Sequence, residues 1–254
     1  TYIINEESYS YLKKIIKKGD IVSIKLPRNN FLRNLLLKEK ILNKIKISNF
    51  DWILFYYNIG FKIKIPSIVL VHDLASRFYL KNFIFKGLVR NIIQYQYVKK
   101  TIFHCDYVFC STIEMKNEIA NLKLKEKKYI KQIYFGNYKK NNFLEKENEL
   151  NNFQNYLFFP SYKEPHKNMK IFINGFHYLL SQNPDSIELA NIKFVFSGKR
   201  DSTSKVLEKK FIKKGIRNKI IFTGYISPKE MIEYYRNARL VIFPTLYEGF
   251  GLPV

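Results

Sequence analysis

Glycine and cysteine are scarce in this chain. Ten glycines among 254 residues leave no Gly-x-Gly-x-x-Gly after the first apolar run and no Walker loop, so the two commonest glycine-built phosphate cradles are missing. Cys105 and Cys110 are too few for a disulfide framework and fit a reducing, cytoplasmic compartment. Their apolar setting favours packing over metal binding, and His104 beside Cys105 makes only a neighbouring pair, not a spaced zinc set. None of the six Asp residues stands in an Asp-x-Asp pair, so a carboxylate clamp for a metal-bound nucleotide has no local support. The metalloprotease His-Glu-x-x-His and the hydrolase Gly-x-Ser-x-Gly are absent as well. No apolar run approaches the ~18 residues of a membrane span. The chain opens on Thr1 without a basic-then-apolar leader, and neither a signal peptide nor a native start is visible.

Negative charge is also in short supply. Twenty-one acidic residues face 44 Lys and Arg, a net charge of +23. Such a field attracts polyanions: nucleic acid, anionic headgroups or nucleotide-linked substrates. A second reading is codon bias, since Lys, Asn, Ile, Tyr and Phe are abundant together. The excess leans towards the N-terminal part, net +15 up to residue 136 against +8 beyond it.

What is present is an alternation of apolar runs and amphipathic helical patterns, the mark of βαβ units and parallel sheets. The first series places strands at Ile21–Leu26, Trp52–Tyr57, Ser67–His72 and Tyr107–Cys110, a fifth near Tyr129–Phe135, and a helix over Lys86–Phe103. Residues 137–155 break the pattern: seven of the nineteen are Asn and six are Lys or Glu, so they read as a solvated connector. The second series runs strand Tyr156–Pro160, helix Asn168–Leu180, strand Ile192–Ser197, helix Ser204–Lys214, strand Lys219–Thr223, helix Pro228–Asn237, strand Leu240–Pro244. Met169, Phe172, Ile173, Phe176, Leu179 and Leu180 share one helical face. Ser227-Pro228-Lys229-Glu230 predicts a capping box with Pro in the first turn. The fold class is therefore α/β with two Rossmann-like lobes, residues 1–136 and 156–254.

Three clusters lie at the C-terminal ends of predicted strands, where open α/β sheets bind ligands. Val71-His72-Asp73 delivers a His and an Asp to a sheet rim. Pro160-Ser161-Tyr162-Lys163-Glu164-Pro165-His166-Lys167-Asn168 leads into a helix N-terminus, where backbone N–H groups and Lys167 suit a diphosphate. Phe243-Pro244-Thr245-Leu246-Tyr247-Glu248-Gly249-Phe250-Gly251-Leu252-Pro253 offers a lone carboxylate and glycines that permit close backbone approach.

These residues carry a resemblance. Residues 156–254 resemble the nucleotide-binding lobe of the family 4 retaining glycosyltransferases of GT-B fold. The landmarks are Pro165-His166-Lys167-Asn168, Phe196-Ser197-Gly198, Ile221-Phe222-Thr223-Gly224-Tyr225, Tyr234-Tyr235-Arg236-Asn237-Ala238 and the run from Pro244 to Pro253. The first part is similar more loosely, through Val71-His72-Asp73-Leu74, Cys110-Ser111 and Phe135-Gly136. The resemblance implies catalytic roles for His72 and Glu248, diphosphate contacts from Ser161 and Lys167, and donor-sugar contacts from Gly249, Phe250 and Gly251. Gly198, Lys199, Arg200 and Tyr225 become candidates for the nucleotide.

The implied reaction moves a hexosyl group from a nucleoside-diphosphate sugar to a cell-envelope glycan or lipid-linked acceptor, with retention and without metal or cofactor. The expected setting is cytoplasmic, with the first lobe docked on an anionic membrane inner face and aromatic residues near Phe78-Tyr79 and Phe83–Phe85 inserting beside its basic clusters. The Arg that many members place before the Lys has no counterpart here. The family's second Glu would fall two residues past Val254, so a fragment cut at both ends, inactive by itself, is expected. Two alternatives stand beside this reading: a sugar-nucleotide epimerase of the same fold and a basic nucleic-acid-binding protein. The Glu248–Pro253 turn speaks against the first. Against the second, the Tyr and Phe spacings fit cores better than stacking platforms.

Overall fold

A computed structural model describes residues 2–5, 21–24, 39, 41–42, 46, 49–82, 87–134, 155–160, 164–198 and 202–251. The chain divides into two units, Thr1–Phe135 and Gly136–Val254. The predicted connector lies outside the described residues except for Asn155.

In the first unit, β1 (Tyr2–Asn5) and β2 (Ile21–Ile24) pair in parallel; β1 had no counterpart in the sequence reading. A four-stranded parallel sheet follows in the order β3-β4-β5-β6: Ile53–Phe55, Ser67–Val71, Tyr107–Cys110 and Ile130–Gln132. Helices α1 (Ala75–Lys81), α2 (Leu88–His104) and α3 (Ile113–Ala120) form the crossovers. Helices α1 and α3 are short, seven and eight residues, and too brief to show a clear period in the sequence. Val69, Val71, Val108, Ile102 and Ile119 are fully enclosed. Gly60 is forced by packing: a Cβ there would stand 2.6 Å from the Phe55 ring. Cys105 and Cys110 are buried free thiols, each pushed up to about 11 chiefly by desolvation. The expectation that they pack is met. Tyr79, one of the aromatic residues expected to insert into a membrane, is instead buried at 9% exposure. Phe83–Phe85 lie outside the described residues.

The second unit begins with β7 (Tyr156–Phe159), α4 (Met169–Gln182) and α5 (Ile187–Asn191), the last unread in the sequence. It continues with β8 (Lys193–Ser197), α6 (Ser202–Lys213), β9 (Ile220–Gly224), α7 (Pro228–Asn237) and β10 (Leu240–Val241). Its strands are all parallel, in the order β10-β7-β8-β9. Strand β7 is buried at every position because helices cover both faces, which is why it reads as an unbroken apolar run. On one face Phe159, Phe194 and Phe196 pack against Ile173 and Phe176 of α4 and Phe211 of α6. On the other, Phe158 stacks on Tyr234 of α7 at 5.4 Å. The aromatic wealth of this unit is thus core. Leu179, expected on the buried face of α4, is 44% exposed; it stands at the margin of the apolar stripe, one turn from the helix end. Strand β10 pairs over two residues, shorter than read, because Pro244 has no N–H to extend a ladder.

Candidate functional site

The strand order of the second unit selects the place. The chain steps from β7 to β8 to β9 in one direction, then returns through α7 to lay β10 on the other side of β7. Loops leaving the C-terminal ends of β7 and β10 therefore lie at the topological switch point of a doubly wound sheet, where such folds bind ligands.

Both second-unit clusters sit there. After β7, Pro165–Lys167 form a single 3-10 turn, and Asn168, left-handed at φ 55° and ψ 36°, redirects the chain into α4. No side chain caps the N-terminus of α4; the Ile171 N–H bonds the Asn168 carbonyl at 3.1 Å, and the first two N–H groups of the helix suit an anion. After β10, Phe243–Gly251 form the second turn. The two turns are joined by the Leu246 N–H, which donates to the His166 carbonyl at 2.7 Å.

Lys167 and Glu248, 81 residues apart in sequence, meet across this seam. Lys167 Nζ lies 2.6 Å from Glu248 Oε1 and 4.8 Å from the Phe243 ring centroid. Thr245 Oγ1 donates to the same Oε1 at 2.7 Å, and His166 Nε2 lies 3.9 Å from it. Lys167 is 9% exposed, so its charge acts in a partly desolvated setting with a carboxylate and an aromatic face as compensation. Gly249, Phe250 and Gly251 follow directly; Gly251 has φ 80°, a conformation that favours glycine, and Phe250 is exposed.

The other candidates are distributed. Gly198, at φ 121°, donates its N–H to the Gly224 carbonyl at 2.8 Å beyond the end of β8, and Tyr225 follows β9 at 83% exposure. Both stand at the C-terminal edge that also carries Lys167. Ser161, Lys199 and Arg200 lie outside the described residues. His72 belongs to the first unit, one residue past β4. Its Nε2 lies 2.9 Å from the Tyr56 carbonyl; a carbonyl only accepts, so Nε2 carries the proton. The ring packs on Tyr56 and Tyr57, each with centroids 5.4 Å away. Asn58, 2% exposed, accepts from the His72 N–H at 2.7 Å and donates to the Asp73 carbonyl at 3.1 Å. Burial, and secondarily the Asp73 charge, raise the Tyr57 phenol above its ordinary value.

Thr245, His166 and Asn58 had no role in the sequence reading. The available signal was Thr245 three residues before Glu248 in one turn, and His166 beside Lys167; nothing local marked Asn58. Among the described residues no group of three or more His, Cys, Asp or Glu is placed to hold a metal ion. No described helix is long and apolar enough to cross a membrane.

Residues 140–254 match the family described as glycosyl transferases group 1. Over that segment the chain is similar to the group 1 glycosyltransferases. The glycosyltransferase module holds the whole Lys167–Glu248 seam, and the match does not favour the epimerase or nucleic-acid readings. Two curated relatives agree. The uncharacterized glycosyltransferase MJ1607 of Methanocaldococcus jannaschii is 32% identical over 78 residues, 31% of this chain and 20% of that protein. The O-antigen chain mannosyltransferase RfbU of Salmonella typhimurium is 25% identical over 185 residues, 73% of this chain and 47% of that protein. The chain thus spans half or less of these relatives. Among solved structures, WaaG, a glycosyltransferase involved in lipopolysaccharide biosynthesis, superposes with a TM-score of 0.70 at 15% identity, covering 93% of this chain and 66% of WaaG. That likeness establishes the expected fold class, GT-B.

Proposed function

We propose that this chain belongs to a group 1 glycosyltransferase that moves a hexosyl group from a nucleoside-diphosphate sugar to a cell-envelope glycan or lipid-linked acceptor, with retention at the anomeric carbon and without a metal ion. The observation that carries the reading is the Lys167–Glu248 pair, 2.6 Å apart at the switch point and beside the N-terminus of α4. A departing nucleoside diphosphate accumulates negative charge on its phosphate oxygens. The leading N–H groups of α4 are fixed donors that cost no reorganisation when the bond breaks, and Lys167 adds a cation beside them. In this reading the diphosphate competes with Glu248 for the Lys167 ammonium, and Glu248 accepts from hydroxyls of the donor sugar. Gly249, Phe250 and Gly251 line the sugar. RfbU, by its name, transfers mannose to an O-antigen chain, which supports a hexose donor and an envelope glycan acceptor here. The +15 excess of the N-terminal part supports docking at an anionic membrane surface.

The test is direct. In the full-length protein, Lys167→Ala weakens nucleoside-diphosphate binding about tenfold or more, as expected for a lost charge-assisted hydrogen bond. Glu248→Gln lowers turnover with a sugar nucleotide while diphosphate affinity holds or rises, because the competitor for Lys167 is neutralised. Calorimetry showing unchanged diphosphate affinity in the Lys167 variant removes the cradle, and a product of inverted anomeric configuration by NMR removes retention.

A further inference from the structure

Every hydrogen bond and ion pair of Glu248 among the described residues ends on one oxygen. Oε1 takes Lys167 Nζ at 2.6 Å and the Thr245 hydroxyl at 2.7 Å, with His166 Nε2 at 3.9 Å. Oε2 has no hydrogen bond or ion pair among those residues. The Thr245 hydroxyl has a single proton and three oxygens within reach: Glu248 Oε1, the Tyr247 carbonyl at 3.0 Å and the His166 carbonyl at 3.3 Å. The carboxylate is both nearest and charged, so it takes the proton. The turn does not need that hydroxyl to close, because the Leu246 N–H already bonds the His166 carbonyl at 2.7 Å.

The two hydrogen-bond partners of Oε1 differ in kind. Lys167 arrives on a flexible four-carbon stem, and an ammonium is a point charge that satisfies either carboxylate oxygen. Thr245 has a short, β-branched side chain three residues before Glu248 in the same turn, and its χ1 is stiff. It therefore breaks the equivalence of the two oxygens. A diphosphate that draws Lys167 away removes the mobile partner and leaves the rigid one.

We propose that Thr245 is a positioning residue: it holds Glu248 Oε1 so that Oε2 accepts the donor-sugar hydroxyl, and it keeps that orientation once the diphosphate has engaged Lys167. This rests on the donor-site reading of Lys167 and Glu248 given above.

The experiment compares Thr245→Val, Thr245→Ser, Glu248→Gln and the Thr245→Val/Glu248→Gln double variant in the full-length protein. Transfer is measured with a sugar nucleotide, and binding of the nucleoside diphosphate alone is followed by calorimetry. Thr245→Val, nearly isosteric, lowers kcat/KM about tenfold, the loss expected for one hydrogen bond to a charged group, with melting temperature and diphosphate affinity unchanged. Thr245→Ser restores transfer. In the Glu248→Gln background, Thr245→Val costs nothing further, because the residue it served is already disabled. Should Val perturb folding, Thr245→Ala replaces it in the same cycle. Wild-type rates in Thr245→Val, or an equal loss with and without Glu248, overturn the proposal while leaving a Glu248-dependent donor site intact. Transfer indifferent to Glu248→Gln overturns the donor-site reading itself.

Discussion

His72 is the residue whose role depends most on distinguishing chemistry from architecture. Its ring is half-buried, its Nε2 proton is committed to the Tyr56 carbonyl, and two tyrosine rings flank it. Such a setting fixes the imidazole's rotation and tautomer, which a sugar-contacting group requires and a filler does not. Asn58 reinforces it by binding the backbone on both sides of the His72–Asp73 peptide. His72→Ala is expected to reduce sugar transfer about tenfold or more, the scale of one transition-state hydrogen bond, while the melting temperature shifts by only a few degrees. A large fall in melting temperature with full specific activity in the surviving fraction would make His72 structural.

At the scale of elements, α7 sets where β10 lies and hence where Glu248 is delivered. Its start is specified locally. The Ser227 hydroxyl accepts from the Glu230 N–H at 3.2 Å, and the Glu230 carboxylate accepts from the Ser227 N–H at 2.6 Å, the capping box that the residue order predicts. Those bonds hold the Glu230 carboxyl below its ordinary value. A depressed carboxyl contributes stability above its unfolded value and loses it as pH falls through the folded one. Ser227→Ala is expected to cost about 1 kcal/mol, read as a lower urea midpoint with an unchanged denaturant slope. It should also flatten the acid limb of the stability profile. A wild-type midpoint would show that the aromatic contacts of Phe158 with Tyr234 and Tyr235 set the helix start without the cap.

For the molecule as a whole, the charge remains to be assigned a use. Exposed Lys123, Lys127 and Lys128 cluster near the end of the first unit, though Lys128 is paired with Glu126 at 2.9 Å. With a net +15 up to residue 136, the full-length protein is expected to float with anionic vesicles and not with zwitterionic ones, and salt should weaken the binding. No flotation with either lipid at low salt assigns the excess to a solvated lysine surface. Burial of Tyr79 means that any aromatic anchoring must come from other residues than that one.

The sequence determined by itself whatever is written in neighbouring residues: the alternation that makes the two four-stranded sheets parallel, the strand Tyr107–Cys110 and the helix Pro228–Asn237 to the residue, the α7 capping box, and the turns that hold Lys167 and Glu248. These follow from periodicity, backbone restriction and local hydrogen bonding, all of short range. The short helices Ala75–Lys81, Ile113–Ala120 and Ile187–Asn191 escaped because fewer than three turns leave no period to read. Only the tertiary structure decided that β10 returns beside β7, that Lys167 therefore meets Glu248, and that Thr245 and Asn58 bond the residues beside them. Contacts between residues 81 positions apart depend on strand order, and strand order is chosen by how helices cover the two faces of a sheet, which no local pattern records.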